Sequence, residues 1–261
     1  MDLGLGGKIV FITGGSKGIG LACARAFAGE GARVAVVSRN PENLDRAKQL
    51  LGKDGFEVTT IRANLTDPRE AQAAVQSAEQ QLGPIDALIN SAGAAKRHLL
   101  NEYTSEAWHH GMDAKYFPYV HAMDGVRAGM IERKRGTIVN IIGMGGKVGQ
   151  PSHLAGGAAN AALMLVTVGW AQALGKYGIR VNGINPAGTF TERVQRAVEL
   201  EARELGIPES DVMERNQRKI PLGRYCRPEE VAAVALFLAS EQASYITGVV
   251  VPMDGGLHPM I

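Results

Sequence analysis

Seven short, nearly continuous apolar runs rich in β-branched residues punctuate the chain: "KIVFIT" (8–13), "RVAVVS" (33–38), "EVTTIRA" (57–63), "DALIN" (86–90), "GTIVNII" (136–142), "IRVNGIN" (179–185) and "ITGVVVPM" (246–253). Runs without polar alternation belong to strands covered on both faces, the condition of a parallel sheet. Helical patterns fill most intervals, over Gly18–Gly29, Pro41–Leu51, Asp67–Leu82, Ser105–Arg133 and Ala155–Tyr177. Parallel neighbours need crossovers, and right-handed βαβ crossovers place helices on both faces. The expected fold is α/β, a doubly wound parallel sheet flanked by helices.

The chain has 261 residues, 45% of them hydrophobic, enough to bury one α/β core. No repeat, low-complexity segment or linker divides it, so one domain is expected over 1–261. The one long excursion between strands runs from Pro186 to Ser240. Within it the stretch 191–219, "TERVQRAVELEARELGIPESDVMERNQRK", is charged and helical. It reads either as a mobile helical lid inserted over 189–219 or as a solvated helix pair.

Several classes of function are excluded early. A net charge of +2 with mixed signs leaves no basic footprint for nucleic acid. Cys23 and Cys226 cannot form a disulfide framework, no metal spacing surrounds them, and a reducing cytoplasm is expected. The opening "MDLGLGGKIVFITGG" is too short in apolar residues for a signal peptide, and no run approaches the roughly 18 consecutive apolar residues of a membrane span.

The strongest chemical signal is "TGGSKGIG", Thr13–Gly20, which follows the first strand and opens the first helix. Gly14, Gly18 and Gly20 permit a tight turn, close approach to a pyrophosphate and close helix-on-strand packing. Free N–H groups at the helix start then face the phosphates, with Ser16, Lys17 and Ile19 in the loop. After the second strand, an acid for the ribose hydroxyls of NAD is missing. The chain has Ser38, Arg39 and Asn40 instead. Arg39 and Lys17 suit a 2′-phosphate, because guanidinium and ammonium groups pair with phosphate oxygens. NADP(H) is the expected cofactor.

With these features the chain resembles the short-chain dehydrogenase/reductases of the single-domain type. The resemblance spans "TGGSKGIG", "INSAG" (89–93), "GTIVNI" (136–141), "YGIRVNGINPAGTFT" (177–191), "IPLGRYCRPEEVA" (220–232) and "FLASEQASYITGVVVPMDGG" (237–256). It implies a Rossmann-like sheet, nicotinamide cofactor binding and a homotetramer. It implies that the loop Asn90, Ala92 and Gly93 supports the adenosine side. It also implies that Thr191, with Pro186 and Gly188 before it, meets the nicotinamide amide. Ala187 stands where the family has Gly. Asn64, beside Leu65, stands where the family often has Asp at the adenine.

The resemblance also locates four catalytic positions, and there the chain departs from the family. The family places a Ser after the fifth strand, a Tyr and a Lys four apart on the next helix, and an Asn on the preceding long helix. The corresponding residues are Gly143, Gly156, Asn160 and Lys115. No tyrosine occurs from His121 to Lys176, so a shifted register recovers none. Lys115 is the one ionisable residue at these positions, and His153 lies just before the catalytic helix; they are the candidate catalytic residues. A lysine beside a nicotinamide ring and away from water has a lowered pKa.

Three readings stay open: an enzyme acting on a small carbonyl or enone-type substrate by altered redox or non-redox chemistry; an inactive cofactor-binding sensor or partner subunit, associated with an active paralogue; and an ordinary ketoreductase working through unusual residues.

Overall fold

All seven apolar runs become strands in the computed structural model, which describes residues 2–93 and 95–258. They are β1 (Ile9–Thr13), β2 (Arg33–Ser38), β3 (Val58–Arg62), β4 (Ala87–Asn90), β5 (Gly136–Ile141), β6 (Ile179–Pro186) and β7 (Val250–Met253). Every adjacent pair is parallel, in the order β3-β2-β1-β4-β5-β6-β7. The ends of the expected 1–261 unit, Met1 and residues 259–261, lie outside the described residues, as does Ala94.

The helices are α1 (Gly18–Gly29), α2 (Pro41–Lys53), α3 (Pro68–Leu82), α4 (Ser105–Arg133), α5 (Leu154–Leu174), α6 (Glu192–Leu205), α7 (Glu209–Gln217) and α8 (Pro228–Ala239). Local chemistry sets several starts. Asn40, Asp67 and Thr104 each accept a backbone N–H in the first turn of α2, α3 and α4. Residues of α1, α2 and α8 share one core with one face of the sheet, centred on Phe27, Leu51 and Leu238. Residues of α3, α4 and α5 share the other, centred on Met123, Met130 and Leu174. The strand order reverses direction between β1 and β4, so the crevice beyond their carboxyl ends is the natural ligand site of such a sheet.

One helix departs from the expectation. Helix α8 goes unread in the sequence, although Pro228 at its start, Glu229 and Glu230 in its first turn and the following "VAAVALFLA" are helix-start chemistry. The charged stretch after residue 191 forms the hairpin α6–α7, closed by a small cluster of Val198, Ala202 and Val212.

Pro151–Tyr177, which includes α5, has the length and mean hydropathy (1.5) of a membrane-crossing helix, although it contains no run of about 18 consecutive apolar residues. Yet α5 is a packed element. Its inner face presses on α4, where Gly111 leaves a Cβ only 2.6 Å from that of Ala155. Its outer face carries Leu165, 76% exposed.

Candidate active site

The cleft opens at the carboxyl ends of β1 to β4. Its first half, about 150 Å³, is lined by Gly14, Val37, Ser38, Arg39, Ala63, Asn64, Leu65, Thr66, Ala92, Gly93, Asp113, Ala114 and Pro118. Seven of the residues expected to hold a cofactor are thus brought together: Gly14, Ser38, Arg39, Asn64, Leu65, Ala92 and Gly93. Two of them are glycines for a visible reason. Gly14 has φ +65°, and a Cβ there would sit 2.7 Å from the Cα of Ala92. Gly93 has φ +102°, and its Cβ would fall 2.1 Å from the carbonyl oxygen of Ala114. Pro118 has no N–H to offer that carbonyl four residues earlier in α4, so the loop approaches a carbonyl that the helix itself leaves free. Asn64 turns its side-chain oxygen inward to accept from Thr66 Oγ1 at 2.9 Å, an Asx turn that serves as well with Asn as with Asp.

The beginning of α1 fits an anion. Its Ncap residue, Lys17, makes no side-chain cap, and no acid stands in the first turn. Its leading N–H groups are left for a ligand. Thr191 closes over this loop; its Cγ2 would be 3.4 Å from a Cβ on Gly18.

Other expected cofactor residues act from behind or elsewhere. Asn90 is fully buried and links Thr13 to Asn140, accepting from Thr13 Oγ1 and donating to Asn140 Oδ1 at 2.9 Å; Asn140 in turn donates to Thr167. Thr13 Oγ1 then accepts from the N–H groups of Ser91 and Ala92, so the chain of bonds fixes the loop without entering the cleft. Ser16 is buried, and Ile19 packs on the core beneath α1. Gly188 is small because the ring of Tyr225 stands 2.8 Å from where its Cβ would be. Lys17 is not among the lining residues; its amine lies 3.8 Å from Glu192. That pair is half exposed and weak, so it reorients at little cost. Residues Val37, Ala63, Thr66, Asp113, Ala114 and Pro118 were not anticipated, because their side chains carry no signature and only the fold brings α4 to this edge.

The four positions that the sequence matches to the family's catalytic residues, Gly143, Gly156, Asn160 and Lys115, lie after β5 and on α5 and α4. Gly143 has φ +133°, and its N–H donates to Asn185 Oδ1 at 3.2 Å, close to Pro186 at the end of β6. Asn160 is 5% exposed and turns its Nδ2 toward Gly143 and Gly145; it lies 3.2 Å from where a Cβ on Gly143 would be. Its Oδ1 is buried without a partner. Over Gly156 sits the imidazole of His153. A Cβ at position 156 would lie 2.2 Å from His153 Cε1 and 2.6 Å from Nε2. The ring thus occupies the ground a side chain at 156 would claim. Gly157, on the same turn, admits the carbonyl of Gly145, whose oxygen would be 2.7 Å from a Cβ there. The small residues of the first turn of α5 make room for a ring and for a neighbouring backbone.

Lys115 projects from α4 into the same region and is 9% exposed. Its Nζ donates to Tyr119 Oη at 2.7 Å and to the carbonyl of Ile141 at 3.1 Å, and Tyr119 Oη donates to that same carbonyl. Among the described residues no carboxylate lies within 4.0 Å of the amine. Burial, and then the charge of Arg193, pull its pKa from 10.5 to about 7. Burial pushes the Tyr119 phenol up. His153 is held below its ordinary value by burial first, then by Arg97, Arg193 and Lys115. Its Nδ1 is buried and unpartnered. Tyr119 is a functional neighbour that the sequence analysis missed; its four-residue spacing from Lys115 on the long helix was the available signal. His109 and His110 are exposed.

A glycine loop at a bare helix start and a cleft at the strand reversal define a dinucleotide-binding α/β protein. Comparison with known proteins sharpens this. Residues 14–258 match the family model described as enoyl-(acyl carrier protein) reductase, and the chain belongs to the short-chain dehydrogenase/reductase family. It is 36% identical to the 3-oxoacyl-[acyl-carrier-protein] reductase of Thermotoga maritima, over 97% of this chain and 98% of that one. To the gluconate 5-dehydrogenase of Gluconobacter oxydans it is 32% identical, over 97% and 95%. The structure of L-sorbose reductase from Gluconobacter frateurii, complexed with NADPH and L-sorbose, superposes with a TM-score of 0.94 at 30% identity, each chain covered fully (100%).

Proposed function

We propose that this protein is an NADP(H)-dependent oxidoreductase that acts on a small carbonyl or enone-type compound through a reworked active site. The relatives named above are reductases and dehydrogenases, and one of them is seen with NADPH. Arg39 in the adenosine half suits a 2′-phosphate. When bound, the cofactor supplies or accepts the hydride.

The observation that carries the reading is the buried amine of Lys115, unpaired with acid, at a position where the family has Asn. With a pKa near 7 it exchanges a proton near neutrality, the condition for an efficient general acid or base. The imidazole of His153 fills the ground of the absent tyrosine and stays neutral. The amide N–H of Asn160, near the ground of the absent serine, donates to a carbonyl oxygen. Tyr119 and the Ile141 carbonyl position the amine. Helices α6 and α7 act as a lid over this end.

Lys115→Ala abolishes NADPH-dependent turnover in a panel of small ketones and enones and leaves NADPH affinity within a few-fold; His153→Ala has the smaller effect. Wild-type rates in both variants overturn the placement of the chemistry. Binding of NADPH with no turnover of any acceptor favours the non-catalytic reading.

The outer faces of α4 and α5, with Trp108, Phe117 and Leu165 exposed, support assembly into a homodimer or homotetramer. Light scattering that gives a monomer at micromolar concentration refutes that assembly.

A further inference from the structure

Helix α5 begins at Leu154 without a cap from the residue before it: the side chain of His153 makes no hydrogen bond to the first turn. A residue in that position ordinarily accepts from a backbone N–H of the turn, because the first four N–H groups have no partner inside the helix. The imidazole is engaged elsewhere. One edge lies over Gly156, and the other reaches Gly145, where a Cβ would be 3.1 Å from its Cδ2. The ring is thus held between the helix and the loop after β5, with its Nδ1 buried and unpartnered. An acceptor from outside the helix takes its place. Tyr103 Oη accepts from the N–H of Leu154 at 2.7 Å, across 51 positions of sequence. The phenol is itself fixed, with ring centroids 5.0 Å from Trp108 on α4 and 5.4 Å from His98. Thr104, the next residue, caps α4, so Tyr103 stands where loop becomes helix. The same loop holds Ser152, the residue before His153. His98 donates its N–H to the Ser152 carbonyl at 3.0 Å, and Arg97 Nη1 donates to Ser152 Oγ at 3.2 Å. Arg97 is exposed, so that bond competes with water; Tyr103 is half-buried and makes the bond to the helix itself.

We infer that Tyr103 is a positioning residue for the active site: its hydroxyl caps α5 in place of His153 and so leaves the imidazole free to lie over Gly156. Without the hydroxyl the Leu154 N–H is orphaned at a half-buried turn, which is costly. The remedy within the turn is for His153 to swing back and cap it, since the Nδ1 of a neutral imidazole accepts when Nε2 carries the proton. Loss of one phenol oxygen then moves a ring that the oxygen does not touch. The consequence for turnover rests on the reading that His153 takes part in the chemistry; the contact with Leu154 does not.

The test uses the full chain with NADP+ bound and its histidines labelled with 15N, His153→Ala identifying the His153 signals. Tyr103→Phe removes the hydroxyl and keeps the stacked ring. In this variant the His153 ring signals shift. Its titration, held below 6.5 chiefly by burial, moves up toward that value as the ring leaves its slot. With NADPH and a ketone or enone that the wild type reduces, kcat falls about tenfold while KM stays within about twofold. In the His153→Ala background Tyr103→Phe has no further effect on turnover. One measurement needs no variant: the Leu154 amide, though first in its helix, exchanges with deuterium about tenfold or more slower than an exposed amide. An unmoved His153 titration in folded Tyr103→Phe, or a Leu154 amide that exchanges as freely as an exposed one, overturns the inference. A moved ring with wild-type turnover in both Tyr103→Phe and His153→Ala removes both residues from the chemistry and overturns it too, while turnover lost in Lys115→Ala still upholds the active-site reading.

Discussion

The two ends of the cleft use glycine for opposite purposes. At the adenosine end, Gly14 and Gly93 adopt positive φ and let backbone meet backbone, so the neighbours that exclude a Cβ are Ala92 and the Ala114 carbonyl. At the catalytic end, Gly156 excludes a Cβ because a side chain, the ring of His153, has moved into its place. One set of glycines is required by the scaffold and the other by an occupant. The first set serves a loop that suits a cofactor of fixed shape; the second sits where a fold of this kind can carry different chemistries.

The sharpest way to break the comparison is Gly93→Ala. The added carbon lands 2.1 Å from a backbone oxygen at φ +102°, and neither the loop nor α4 can yield cheaply. A loss of about 3 kcal/mol or more in urea unfolding is expected, with loss of NADPH binding in the surviving folded protein. A variant with wild-type stability shows that the adenosine loop is as adaptable as the catalytic one.

Next in size is the pH dependence that Lys115 imposes. Its amine titrates near 10.5 in the unfolded chain and at about 7 in the folded one. Between those values the unfolded chain binds more protons, so stability rises with pH, by at most about 1.4 kcal/mol per unit. Below pH 7 the amine is charged in both states, and the cost of burying the charge is complete. Cys23 works the other way: burial lifts its thiol from 9.0 to about 12, so stability falls again once the unfolded thiol ionises. Urea midpoints should climb from pH 7 to about 9. Lys115→Met should flatten that climb and raise stability at the acid end. An unchanged slope places the amine in water.

Much of this architecture was legible, and the exceptions share a cause. The seven strands could be read because continuous β-branched runs answer to burial on both faces, a property of each segment alone. Helix α8 was missed within a long excursion, although its start carried the right residues. Asn90 and Gly188 were expected beside the cofactor, and the contacts seen for them are within the protein. Asn90 faces Asn140 across the sheet and Gly188 faces Tyr225, partners 50 and 37 residues away that no local pattern announces. The ring of His153 over Gly156 belongs to the same class. The two residues are three apart, and only the turn between them sets the ring over the glycine.

A smaller effect tests the adenosine end. Arg39 lines the cleft with no acid within 4.0 Å among the described residues. Arg39→Ala should cost about tenfold in NADPH affinity and leave NADH affinity nearly unchanged, which calorimetry on both cofactors measures. Equal losses for the two cofactors remove the arginine from the 2′-phosphate.

The smallest effect on stability separates the two kinds of glycine within a single helical turn. A Cβ on Gly157 meets the carbonyl of Gly145 at 2.7 Å, whereas a Cβ on Gly156 meets side chains, the far end of His153 at 2.2 Å and the Cβ of Ala95, on a loop, at 2.9 Å. Backbone has nowhere to go, but a half-buried ring swings out about its own χ angles at small cost. Gly157→Ala should therefore destabilise the fold by about 1–3 kcal/mol. Gly156→Ala should stay within about 1 kcal/mol of wild type. If the ring belongs to the active site, the quieter substitution has the louder functional consequence: Gly156→Ala evicts it and lowers turnover as far as His153→Ala does, and combining the two adds nothing further. A Gly156→Ala protein that unfolds as readily as Gly157→Ala, yet retains full turnover, makes His153 a wedge between helix and loop. The difference between the two ends of the cleft then reduces to packing.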